Sequence, residues 1–323
     1  MKSRYTVWSV LAAAGLIAAA LPPSPALGQS TSAAGAGVEA AAETASASAG
    51  AGQSAGSAWS PRRTAAGHPD MQGYWDGGPA NASHSIEDGC CDPVHARMQS
   101  RGPERLGLPF QLIIDPPDGR IPYQAWAAER RTEMLYDMET PTELAHIDPE
   151  DRCLLLGAPR STYRGDLEIR QNDGYVVIQY EWAHAYRIIP LDGRPHVGGG
   201  IRMYNGDSRG RWEGDTLVVE VTNFNDEPWL DSHGSFYSEN LRVVERYTLL
   251  DDDTLRYEAT MEDPTVFTSP WTLAFDMGRI GRDGEYEFFE EACSEGVTNE
   301  HRLAAGRQAV ARGERYIHTH EGP

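Results

Sequence analysis

From Asp166 onward, apolar residues recur at every second position in one run after another, which is the period of half-buried β-strands. Gly174–Trp182 reads as one strand, and His184–Ile189 as a second or as its continuation. Asp215–Phe224 follows, then Leu241–Leu250 and Thr254–Glu262, joined by the hairpin turn Asp251-Asp252-Asp253. Trp271–Met277 and Tyr286–Ala292, separated by Gly281-Arg282-Asp283-Gly284, complete the series. Strands joined by short polar turns form an antiparallel meander. A meander of this length leaves exposed edges unless it closes on itself or stacks. Leu217, Val219 and Val221 oppose Glu220 and Thr222. Leu255, Tyr257, Ala259 and Met261 likewise oppose Glu258, Thr260 and Glu262. One apolar and one polar face per strand suits a barrel with a wet interior, or a sandwich with a solvated exterior.

The rest of the chain divides by composition. Lys2 and Arg4 precede an Ala/Leu-rich run from Val7 to Leu21, and Ala26-Leu27-Gly28 fits a small-x-small cleavage site, so residues 1–28 read as a signal peptide. No membrane span is expected after its removal, and the expected location is periplasmic or secreted. Residues 29–58 are nearly all Ala, Ser, Gly and Thr, a flexible linker. Residues 59–323 are expected to form a single β-rich domain, with loops and a helix in 59–160 and the strand meander in 161–292. Gln124–Met138 reads as the helix, with Ala127, Met134, Leu135 and Met138 inward and Pro141 as its stop. A second helix is expected from Asn299 to Ala311, ended by Gly313.

Lys and Arg number 28 against 48 Asp and Glu, for a net charge of −20. Such a surface repels nucleic acid and anionic membranes, leaving a small molecule as the expected partner. The sequence does not speak to oligomeric state. In an oxidising compartment the four cysteines allow three complete pairings. Cys90–Cys91 would be a strained vicinal bridge, whereas Cys153–Cys293 would close a long loop and is the expected structural disulfide.

Dinucleotide, Walker, nucleophile-elbow and zincin signatures are absent, and no Cys/His set has zinc spacing, so neither cofactor nor metal is expected. What remains is a dense polar stretch from Tyr180 to Trp229. If the strand runs straight, Tyr180, Trp182, His184 and Tyr186 share one face. His184 would move a proton between the two phenols, while Asp207, Arg209 and Arg211 supply charge at the same barrel mouth. Trp182, His196, Asp226 and Trp229 would bind the substrate. If His184 proves a scaffold residue, Glu220, Glu258 and Glu262 are the next place to look.

Two resemblances bear on this reading. Gly73-Tyr74-Trp75 looks like the Gly-x-Trp that opens lipocalin-type barrels, and favours a lipocalin-like barrel with a few peripheral helices over a β-sandwich. The strings Asp115–Tyr123 (DPPDGRIPY), Asp148–Cys153 (DPEDRC), Pro190–His196 (PLDGRPH), Gly206–Leu217 (GDSRGRWEGDTL), Val243–Tyr247 (VVERY) and Glu262–Pro264 (EDP) resemble a family of uncharacterised secreted bacterial proteins. That resemblance implies secretion and a common fold but no reaction. The family's cysteine string near the C-terminus continues His-Glu-Gly; here it reads Cys293-Ser294-Glu295-Gly296, which favours a structural Cys293. The resulting expectation is an exported enzyme doing metal-independent acid/base chemistry, of lyase, hydratase or isomerase type, on a small organic or sugar-like substrate. The alternative is a non-catalytic ligand-binding barrel using the same pocket.

Overall fold

A computed structural model describes residues 59–77, 85–87, 112–284, 286–289, 291–293 and 297–314. Residues 1–58, Cys90 and Cys91 lie outside them. The strands are β1 (Gly73–Trp75), β2 (Ile113–Asp115), β3 (Leu167–Gln171), β4 (Tyr175–Tyr180), β5 (Tyr186–Pro190), β6 (Asp207–Glu213), β7 (Thr216–Thr222), β8 (Arg242–Leu249), β9 (Thr254–Glu262) and β10 (Trp271–Ile280). Among the described residues two α-helices, α1 (Ala125–Glu139) and α2 (Val297–Ala311), accompany them.

Nine strands are hydrogen-bonded in the order β5-β4-β3-β1-β10-β9-β8-β7-β6, with β2 added to β10 off this path. Every ladder is antiparallel. Around the ring the strands follow chain order, and β1 joins the last strand to the third, as in an up-and-down barrel. Nine is odd, so directions cannot alternate all the way round a closed ring. One neighbouring pair must be parallel. The registers place that pair at β5 and β6, which both run away from the end where β7 stops and β8 begins. No ladder joins them, and side chains close the gap instead. Arg187 Nη2 on β5 donates to Ser208 Oγ on β6 at 2.9 Å. Two residues further along, Gly210 lies against Ile189 and Leu191. The expected antiparallel meander closed as a barrel is therefore present, and the sandwich is not.

The seam dictates the long connection 191–206, which must return outside the wall to start β6 beside β5. It is fastened there by side chains of the strands it crosses. Asp207 Oδ2 accepts the Val197 N–H at 3.0 Å, and Arg209 Nε donates to the Pro195 carbonyl at 3.0 Å. Asn223 Nδ2 donates to the Ile201 carbonyl at 3.0 Å.

Inward positions keep the predicted alternation on β7, β8 and β9, with Leu217, Val219, Val221, Val243, Tyr247, Leu255, Tyr257, Ala259 and Met261 all buried. The lumen is thus packed with side chains, not wet. Near the closing strand, Trp75 is fully buried, its Nε1 donates to the Met71 carbonyl at 2.9 Å, and the Arg279 guanidinium lies 4.0 Å over its ring. Gly73, at φ +122°, leaves room for that arginine, since a Cβ there would stand 2.9 Å from Arg279 Nη1.

The end of the barrel beside the β4–β5 turn is covered by residues 144–166 and 223–241. Arg160 is fully buried; its Nη1 and Nη2 donate to the two Asp148 oxygens at 2.9 Å each, and Nη2 also reaches Glu150 Oε2 at 2.8 Å. The predicted disulfide joins Cys153 to Cys293, tying this cover to the segment after β10 across 140 residues. By the chain-entropy argument such a loop is worth about 4–5 kcal/mol.

Three local expectations change. Tyr286–Ala292 is not a strand among the described residues; only Glu291 pairs, through an isolated parallel bridge to Trp182. Gly206–Trp212, whose glycines suggest a turn, is instead mostly β6, and its Gly210 is the space into which Ile189 and Leu191 pack. On α1, Arg131 joins Ala127 and Leu135 on the buried face.

Two outcomes test this architecture. Gly210→Val places atoms where a Cβ would already stand 2.7 Å from Ile189 Cγ2 and Leu191 Cδ2, so it should destabilise by ~1–3 kcal/mol in urea unfolding. Gly199→Ala, with nothing within 4 Å, should change little. Burial alone would raise the Asp148 carboxyl, but Arg160 outweighs it and holds Asp148 below its ordinary value. Its contribution is present above the unfolded value of about 3.9 and lost as pH falls through the lower folded one. The stability gap between wild type and Asp148→Asn should therefore be full at pH 7 and shrink below about pH 4.

Candidate functional site

The residues proposed from sequence do not converge on one mouth. β4 stops at Tyr180, and Trp182–Ala185 make a turn in which Ala183 and His184 take φ of 52° and 53°. That turn breaks the straight strand on which the shared face depended. Tyr180 points into the lumen and is 1% exposed, whereas Tyr186 points outward and is 62% exposed. His184 sits on the turn, exposed. Trp182 is buried at the barrel end with Arg164 4.6 Å over its ring, and Trp229 is buried in the cover over the same end. Asp226 is exposed on the following loop, and Arg211 pairs outside the wall with Glu213 at 2.6 Å.

Three of the proposed residues do meet, on the outer wall. His196 Nδ1 lies 2.8 Å from Asp207 Oδ2, and its Nε2 lies 3.3 Å from Glu220 Oε1. Arg209 Nη1 donates to Asp207 Oδ1 at 2.6 Å. Arg242 bridges Glu220 and Glu262, at 3.1 and 3.4 Å. Burial would raise Glu220, but Arg242 and then His196 hold it below its ordinary value. These groups are saturated by one another and by the strap backbone, which is the arrangement of a fastener. Glu258 stands apart, 3.8 Å from Arg256.

The lumen holds a second polar cluster that the sequence reading passed over. Arg187 grips Glu245 with both terminal nitrogens, at 2.9 and 2.5 Å. Tyr257 and Tyr247 donate to Glu245 Oε1 at 2.8 and 3.2 Å, and Arg187 Nη1 lies 3.4 Å from the Tyr180 hydroxyl. Burial pushes all three phenols up. Burial alone would lower Arg187, but Glu245 carries it well above its usual value. The pair ties β5 to β8 through the middle of the barrel. Glu245 was legible as the one carboxylate on an otherwise apolar face, with Val243 and Tyr247 either side.

A cleft of about 340 Å³ opens elsewhere, between α1 and the turn after β2. The stretch Asp115-Pro116-Pro117-Asp118-Gly119, turn-forming by composition, runs into Arg120–Tyr123, and several of these residues form one wall. Arg131 on α1 and Glu87 form the floor. Arg131 Nη1 pairs with Glu87 Oε2 at 2.7 Å, and Glu87 Oε1 accepts the Ile121 N–H at 2.8 Å. The remaining edge of the guanidinium, Nε and Nη2, is buried with no hydrogen-bond partner among the described residues. Burial alone would lower Arg131, but Glu87, then Tyr123 and Asp231, hold it above its ordinary value and fully charged. Tyr123 lies with its ring centroid 5.8 Å from the guanidinium carbon. Burial also pushes its phenol up. Nε of Arg152, Arg160 and Arg187 is likewise buried without a partner among the described residues.

Breaking the lumen pair tests its structural role. Glu245→Leu strands the Arg187 charge and should cost ~3–5 kcal/mol in a urea melt. Arg187→Met combined with Glu245→Leu should recover most of that loss.

No known family profile matches the chain, and no curated protein matches it. Among solved structures, the crystal structure of a point mutant of the fluorescent protein UnaG is similar at 14% identity and a TM-score of 0.23, covering 41% of this chain and 85% of that one. At that score the likeness carries no argument. The assignment as a nearly closed antiparallel barrel rests on strand order and register, and a concave site for a small molecule lies in the cleft beside α1.

Proposed function

We propose that this chain is an exported, non-catalytic barrel protein that binds a small organic molecule in the cleft between α1 and the β2 turn. The observation that carries this reading is the cleft itself, a concave, partly apolar site of about 340 Å³ whose lining includes the Arg131–Glu87 pair. Export accords with the Cys153–Cys293 disulfide, and no helix among the described residues is long and apolar enough to cross a membrane. Acid/base catalysis would need a proton-transfer group within reach of a bound substrate. His184, Tyr186 and the His196 cluster are instead spread over a turn, an outer face and a strap. The barrel lumen, the usual ligand site of such folds, is occupied by Arg187, Glu245 and their tyrosines.

The reading is tested by incubating the purified chain with a small-molecule extract, separating it by size exclusion, and identifying what it retains by mass spectrometry. A binding protein returns its compound with unchanged mass; a product of altered mass would favour the enzyme reading instead. Ala128 is exposed on α1 and lines the cleft. Ala128→Trp should abolish retention and leave the melting temperature within about 2 °C, as expected for a surface substitution. Undiminished retention by that variant would move the site elsewhere.

A further inference from the structure

We infer that the strap over the β6–β7 wall (residues 191–206) is a proton-controlled clasp: imidazolium at His196 holds it shut, and neutral imidazole releases it. Three carboxylates gather on this part of the wall, Asp207 on β6, Glu220 on β7 and Glu262 on β9. Two guanidinium groups face them, Arg209 on β6 beside Asp207 and Arg242 on β8 between the two glutamates. Among the described residues that leaves one negative charge of the three without a matching cation, and an imidazolium at His196 supplies it. The other charges of the strap turn elsewhere, Arg194 to Asp192 and Arg202 to Glu239.

Both ring nitrogens of His196 face carboxylate oxygens, and that makes the proton matter. Nδ1 lies 2.8 Å from Asp207 Oδ2, too close for two lone pairs, so Nδ1 carries a hydrogen in either charge state. Nε2 lies 3.3 Å from Glu220 Oε1. It donates there only as imidazolium; neutral imidazole turns a lone pair on an anionic oxygen. Arg242 and then His196 hold Glu220 below its ordinary value against the effect of burial, so it stays anionic across the range in which imidazoles ordinarily titrate, about pH 5–8. The His196 side chain is 22% exposed, within reach of solvent protons. Asp207 Oδ2 also accepts the Val197 N–H at 3.0 Å, so one carboxylate oxygen holds two successive strap residues. Gly198, Gly199 and Gly200 follow directly, and a Cβ on any of them would meet nothing within 4 Å. The strap beyond the clasp therefore has no side-chain packing of its own and relies on polar anchors. Because imidazolium favours the closed strap and neutral imidazole the open one, the clasp is full on the acid side of the imidazole range and is lost as pH rises through it.

The test is amide exchange and nitrogen-15 NMR on the whole chain at about pH 5.5 and about pH 8.5. Protection is taken relative to an unstructured peptide at the same pH, which removes base catalysis. The reporters are the Val197 N–H and the Ile201 N–H, which donates to the Gly198 carbonyl at 2.9 Å. Val219, laddered on both sides in the middle of β7, is the reference. Protection of both reporters should fall at least about fivefold from the acid to the alkaline sample, while that of Val219 changes less than about twofold. Both ring nitrogens of His196 should carry protons in the acid sample and Nδ1 alone in the alkaline one. His196→Gln, uncharged throughout, should show the open level of protection in both samples. Glu220→Gln, which takes away the second anion, should flatten the profile, and with the wild-type profile it decides the matter if His196→Gln does not fold. Equal protection of Val197 in the two samples overturns the inference. So does a pH dependence that survives in His196→Gln or Glu220→Gln, or a His196 ring that is neutral in the acid sample.

Discussion

Nine strands in a ring cannot alternate in direction, and that parity governs much of this molecule. The mismatch is confined to β5 and β6, where two strands run side by side in the same direction without a ladder. A sheet edge left there would be an invitation to pair with another chain. The sequence meets it with side chains. Gly210 allows Ile189 and Leu191 to close against β6, Ser208 takes a hydrogen bond from Arg187, and the same arginine reaches across the lumen to Glu245. Glu245 is needed because a buried guanidinium without a carboxylate would carry an uncompensated charge, and the two tyrosines add donors to Oε1, the oxygen that Arg187 Nη1 also holds. One topological fact thus accounts for a glycine, a strap and a buried ion pair.

The strap explains why a polar-rich stretch resembles an active site when read along the chain. A sixteen-residue return over a β-wall (residues 191–206) exposes backbone N–H and C=O groups that need partners. Asp207, Arg209 and Asn223 supply them, and His196 is pinned between two carboxylates as part of the same fastening. Histidine, carboxylates and arginines gathered at Gly-rich turns are the composition of catalytic sites and also of loop anchors. What separates the two is saturation. Here the hydrogen-bonding groups are turned on each other and on the strap.

Legibility followed the physics of each segment. β7, β8 and β9 were readable because their inward faces are apolar apart from Glu245 and the two-residue period runs through most of each strand. β6 was not, since a glycine and two outward arginines obscure its alternation, and its partner across the seam is parallel and unladdered. The 180–186 segment failed as a strand because two residues of left-handed φ, Ala183 and His184, are neither glycine nor asparagine, so no local signal announces the turn. The cleft was half legible. Its Asp-Pro-Pro-Asp-Gly stretch is turn-forming by composition, which marks a chain reversal and not a site. Its key residue, Arg131, was hidden in plain view, one turn from Ala127 and one from Leu135 on the buried stripe of α1, where a charged side chain demands a reason.

That reason bears on where any ligand can go. Entry into the lumen would mean separating Arg187 from Glu245 and desolvating both, at a cost of several kcal/mol before any contact with the ligand is gained. A micromolar complex has only about 8 kcal/mol in all, so a lumen site would spend much of its affinity on opening the barrel. The cleft beside α1 asks for no such separation. Arg131 already has its charge compensated by Glu87, and the cleft it lines is open without breaking that pair. The filled barrel is then a rigid support, and recognition is carried by the segment between β2 and α1 that rests on it.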